Sequence, residues 1–155
     1  MRIDRAERWI AASPGRVHEA LTTREAVEAW LPPAGARAAL EAFEPRPGGA
    51  FRMTLTFDTP GEAGAHKSSE TTDVVEGQFL ELVPNASVRQ RFTFVSDDPA
   101  FAGAMTMTWT LTPEAAGTRV VVTAKDVPPG IRAEDHEQGM ASSLQNLAAH
   151  LDASA

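Results

Sequence analysis

The sequence predicts an α+β fold: a curved antiparallel sheet of six to seven strands, two short helices after the first strand, and a long C-terminal helix over the concave face. Three observations carry this reading. Residues alternate between apolar and polar in short segments from Ala38 to Val127, turn residues bracket a helical stretch near the N-terminus, and an apolar stripe at three- and four-residue spacing runs from His136 to Leu151. With 155 residues the chain has the length of one ordinary domain, able to bury roughly two-thirds of its unfolded surface, so residues 1–155 are read as a single domain.

Ile3 to Ile10 read as the first strand. Ser13-Pro14 then supplies an N-cap hydroxyl and a proline at the first helical position, where its missing donor costs nothing. Val17, Ala20 and Leu21 share one face of that helix, Thr23 can cap a second, and Trp30-Leu31 ends it ahead of Pro32-Pro33. From Ala38 the period becomes two, with a hairpin turn at Pro47-Gly48-Gly49. Phe51, Met53, Leu55 and Phe57 take one face while Arg52, Thr54 and Thr56 take the other. Asp58 to Thr72, rich in Gly, Ser, Thr and charge, reads as a long mobile connection.

Asp73 to Val83 and Ser87 to Val95 form the next pair around Pro84-Asn85, with Val88, Phe92 and Phe94 on one side. Met105, Met107, Trp109 and Leu111 alternate with four threonines, the signature of a half-buried strand. After a turn at Gly117, Val120, Val122 and Ala124 face inward, and Pro128-Pro129-Gly130 ends the sheet. The final helix has Glu134, Asp135 and Glu137 near its positive end. Its stripe of His136, Met140, Ser143, Leu144, Leu147 and Leu151 must meet the sheet.

A one-sided sheet needs a cover, and one helix cannot fill a strongly curved one, so space is expected between them. The predicted lining is Trp30, Phe51, Met53, Phe57, Phe94, Met105, Met107, Trp109 and Met140, with His136 and Ser143 as polar groups on the helix face and Gly139 removing bulk beside Met140. Aromatic rings and flexible thioethers adapt to apolar guests. The same residues at strand spacing also make ordinary core.

A formal charge of −7 with no run of Lys or Arg removes the electrostatic basis of nucleic-acid binding. No apolar stretch approaches a membrane span and the N-terminus lacks a secretory core, so no membrane insertion and a cytoplasmic location are expected. The chain has no cysteine, which excludes disulfide and thiolate chemistry. No serine lies in a nucleophile elbow, no glycine-rich phosphate loop is present, and His18, His66, His136 and His150 do not have metal-helix spacing, so no cofactor and no metal are expected. The acid–base candidates near the expected pocket are His136, Asp135, Glu81 and His18, with His136 foremost. The alternatives are helix N-terminal packing for His136 and Asp135 and a cross-strand pair with Arg89 or Arg91 for Glu81.

Several segments, taken in order, resemble one family. They are Ser13-Pro14 with Val17 and Ala20-Leu21-Thr22; Trp30-Leu31; Arg46-Pro47-Gly48-Gly49 with Phe51; Gly77 to Pro84; Thr108 to Thr112 through Gly117-Thr118-Arg119; and Asp135 to Gly139 with Ser143 to Leu147. The chain resembles the activator of heat shock protein 90 ATPase homologue-like branch of the SRPBCC, or START-like, superfamily, which shares the birch-pollen-allergen fold. The resemblance implies a helix-grip architecture with a cavity between sheet and helix. Many relatives carry tryptophan after the helix glycine, where this chain has Met140. The functions weighed are binding of a small hydrophobic molecule such as a lipid or polyketide-like compound, a chaperone-associated interaction module, and a cyclase- or hydrolase-like enzyme using His136. A monomer, or a homodimer joined through an exposed edge strand or the open end of the cavity, is a further expectation.

Overall fold

A computed structural model describes residues 2–32, 35–57 and 72–153. The chain runs β1 (Ile3–Ile10), α1 (Pro14–Thr22), α2 (Arg24–Trp30), β2 (Ala36–Phe43), β3 (Ala50–Phe57), β4 (Thr72–Val83), β5 (Ser87–Phe94), a 3-10 turn (Pro99–Phe101), β6 (Met105–Glu114), β7 (Gly117–Lys125) and α3 (Ala133–Ala153). The seven strands form one sheet in the order β1-β7-β6-β5-β4-β3-β2, every neighbouring pair antiparallel. This is the expected α+β helix-grip architecture. The expected connection from Asp58 onward falls, over residues 58–71, outside the described residues, and Thr72 belongs to β4.

Local chemistry sets the element ends. The Ser13 hydroxyl accepts from the Arg16 N–H at 3.3 Å, satisfying one donor of the first turn of α1. Thr23 occupies the N-cap of α2, but its side chain makes no cap bond, so only the backbone half of that expectation holds. The α1–α2 corner is fixed instead by the Trp30 indole, whose Nε1 donates to Ala20 O at 2.9 Å. At the β6–β7 turn, Ala115 and Ala116 both have left-handed φ, 47° and 60°.

Two β-bulges, between Leu40 and Ala42 and between Phe79 and Glu81, add a residue to one strand, which bends it and increases its twist. The second explains why Glu81 is not a pocket residue. Phe79 faces inward, the register slips by one, and Glu81 then lies opposite Arg89 on the exposed outer face.

Gly77 sits between Phe51 on β3 and Phe92 on β5 in the same transverse row. Having no side chain, it lets those rings meet with centroids 4.9 Å apart, and Phe79 joins edge-on to Phe51 and Phe43. A Cβ at Gly77 would come within 1.7 Å of Arg91 O, so β4 and β5 approach too closely there for any other residue.

Helix α3 runs close to β1, α1 and α2 and stands off the middle strands β3 to β6. Both ends are pinned. Glu137 Oε2 accepts the edge-strand N–H of Arg5 at 3.0 Å, and Arg16 donates to Leu151 O at 2.7 Å. Met140, Leu144, Leu147 and Leu151 are buried against the core. Leu144→Ala is expected to cost about 3 kcal/mol, lowering Tm by roughly 10 °C for a domain of this size; a thermal melt checks this.

Candidate functional site

The standing-off of α3 leaves a cavity of about 380 Å³ between its inner face and the concave sheet. Strands β3, β4, β5 and β6 supply the floor, α2 one wall and α3 the roof. All eleven residues named from the sequence lie in this one wall: Trp30, Phe51, Met53, Phe57, Phe94, Met105, Met107, Trp109, His136, Met140 and Ser143. The register explains the convergence, because Phe51, Met53 and Phe57 alternate on β3 while Met105, Met107 and Trp109 alternate on β6. Trp30 meets Trp109 edge-to-face, centroids 5.6 Å apart at 81°.

Gly139 also lines the cavity, and a Cβ there would meet open space. Replacing it by Ala is therefore expected to raise stability by about 0.5–1 kcal/mol through helix propensity, read as a higher urea midpoint.

Polar groups in the wall are few. Asp73 and Gln90 come from the floor, and His136, Ser142, Ser143 and Asn146 from α3. Asn146 Nδ2 donates to Pro32 O at 3.3 Å, tying the roof to the end of α2. His136 is held by Asp4, a residue the sequence reading passed over. Asp4 faces inward from β1 with 1 % of its surface exposed, and its Oδ2 lies 2.8 Å from His136 Nδ1. Arg2 grips the same carboxylate with two bonds of 2.8 Å and donates to Ile131 O at 2.6 Å.

The Arg2 hydrogen bonds hold the Asp4 carboxyl below its ordinary value; burial opposes this and the bond to His136 assists it. Asp4 is therefore an acceptor-only carboxylate, and the His136 nitrogen facing it carries the hydrogen. Helix N-terminal packing thus describes only part of His136: its Nδ1 is anchored on Asp4, and the residue also lines the cavity.

The other acid–base candidates are elsewhere. Asp135 is exposed in the first turn of α3, and Glu81 is turned outward by the bulge. His18 sits on α1 outside the lining, and its buried Nδ1 has no hydrogen-bond partner among the described residues. His66 lies outside the described residues. Among the described residues no group of three metal-ligating side chains gathers, and no helix is long and apolar enough to cross a membrane.

The family model described as Activator of Hsp90 ATPase homolog 1-like protein matches residues 11–152. The chain belongs to this family. Its architecture is that of the START-like superfamily, and solved structures agree. The crystal structure of a Chromobacterium violaceum protein is 31% identical, covers 95% of this chain and 94% of its own, and superposes with a TM-score of 0.82. At lower identity the fold alone is shared. The AHSA1 protein from Silicibacter pomeroyi is 20% identical with a TM-score of 0.79, covering 99% of this chain and 100% of its own. A Mesorhizobium loti protein is 24% identical with a TM-score of 0.74, covering 99% of both chains. No protein of curated function matches. Against this family the Asp4 contact stands apart in one respect: Asp4 precedes the matched segment, while His136 falls within it.

Proposed function

We propose that this member of the family binds a small hydrophobic molecule between sheet and α3. The observation that supports the reading is the cavity itself, about 380 Å³ walled chiefly by aromatic, methionine and aliphatic side chains. A well-packed domain leaves few voids larger than a water molecule, and an apolar void with a few convergent polar groups is the usual form of a small-molecule site. The eleven residues named from the sequence are proposed as ligand contacts. Incubating the purified protein with a lipid extract and recording native mass spectra is expected to show a retained species. Met53→Trp, which adds bulk to the floor, is expected to abolish retention while the fold persists. A wild-type protein that retains nothing counts against the reading.

The family's description favours a second reading, an interaction module acting on a chaperone ATPase. Stimulation of the cognate chaperone's ATPase by the purified protein, undiminished by Met53→Trp, would favour it over the first.

A further inference from the structure

Among the polar groups of the cavity wall, His136 and Gln90 stand out for hydrogen-bonding capacity that no atom of the described residues uses. In His136, Nδ1 is committed to Asp4, the ring retains 15% of its surface, and Nε2 has no partner among the described residues. Gln90 lies on the inward face of β5 between Val88 and Phe92 with 8% of its surface exposed. Its amide lines the cavity and has no side-chain hydrogen bond among the described residues. The amide is not sealed off: its atoms keep some accessible surface where the residue lines the cavity, so an occupant can supply the partner.

The sheet register relates these groups. Asp4, Ala124, Met107 and Gln90 are successive partners across β1, β7, β6 and β5. At ~4.8 Å per strand, Gln90 stands about 14 Å along the sheet from Asp4, and His136 reaches inward from the Asp4 end. Ala124 and Met107 fill the interval, one small and one flexible. The cavity wall between the imidazole and the amide is apolar, with Met107 and Met105 on the floor.

The chemistry at each end is defined. With its hydrogen on Nδ1 toward the acceptor-only Asp4, the ring in its neutral form presents Nε2 as an acceptor toward a ligand hydroxyl. Gln90 offers two N–H donors to a carbonyl. Resting on the reading that the cavity holds a ligand, we propose that His136 and Gln90 recognise its two polar atoms. The ligand is a flat apolar molecule with a hydroxyl at one end and a carbonyl at the other. Asp4 and Arg2 act as positioning residues that set the imidazole's tautomer and direction.

Calorimetric titration with 2-naphthol, 2-methoxynaphthalene and 6-acetyl-2-naphthol tests this. The wild-type protein is expected to bind 2-naphthol roughly tenfold more tightly than its methyl ether, the worth of about one hydrogen bond. It is expected to bind 6-acetyl-2-naphthol more tightly still. His136→Phe is expected to erase the preference for hydroxyl over ether, and Gln90→Leu to erase only the gain from the acetyl group. If His136→Phe does not fold by thermal melt, Asp4→Asn carries the test. An amide donating to Nδ1 moves the imidazole hydrogen to Nε2, so the preference falls while 2-methoxynaphthalene still binds. Equal binding of naphthol and ether by the wild type overturns the anchor and leaves the cavity reading standing. A preference that survives both His136→Phe and Asp4→Asn overturns the assignment to His136. Failure of all three probes to bind a wild-type protein that retains a species from the lipid extract overturns this assignment and leaves the cavity reading standing.

Discussion

Asp4→Asn is expected to destabilise the protein at pH 7 by roughly 1–3 kcal/mol, the order found when a buried hydrogen-bonding partner is removed and the groups it served are left imperfectly paired. The substitution leaves the guanidinium of Arg2 and the ring of His136 facing a neutral amide, and it loosens the start of α3 from β1. The loss is expected to be pH-dependent with a definite sign. Asp4 is held below its ordinary value of 3.8 by Arg2 first and His136 second, so the folded state binds a proton less readily than the unfolded state. Its contribution is complete above that ordinary value and is lost as the pH falls through the lower folded value. Urea melts at pH 7, 5, 4 and 3 are expected to show the wild type converging on Asp4→Asn only in the most acid samples. A gap of constant size across that series would mean that Asp4 acts through packing alone.

Gly77→Val is expected to cost about 4 kcal/mol, above the usual range for overpacking because the obstacle is backbone. The Cβ would lie 1.7 Å from Arg91 O, and neither strand can yield without breaking the β4–β5 ladder or separating Phe51 from Phe92. In a domain of this size that corresponds to a Tm lower by roughly 12 °C. Gly139→Ala serves as the contrast, since its added carbon enters open space. A Gly77 variant as stable as wild type would show that the close approach of the two strands is not required.

The cavity wall was legible because period-two alternation identifies inward faces without reference to tertiary structure. Met105, Met107 and Trp109 announce one face of β6, and Phe51, Met53 and Phe57 one face of β3. The curvature of the sheet was legible only as a consequence of its length. Asp4 was missed because β1 inverts the ordinary preference: Ile3 is 47% exposed and Asp4 is buried. The signal was positional, since Asp4 shares its face with Ala6 and Ile10 and pairs with Ala124. Gln90 carried a similar signal, an amide between Val88 and Phe92 on an inward face. Of the two readings open for Glu81, the one that sets it across from Arg89 holds, because a bulge at the preceding residue reverses the alternation and turns it outward.

The crossing of Trp30 and Trp109 has a practical consequence. Both indoles border the cavity, whereas Trp9 lies on the outer side of β1 with its Nε1 donating to Glu114 O. An occupant must disturb the first two while leaving the third as a steady background. The molecule therefore contains its own optical reporter, and a shift in intrinsic fluorescence on adding a guest can be assigned to the interior without any attached dye.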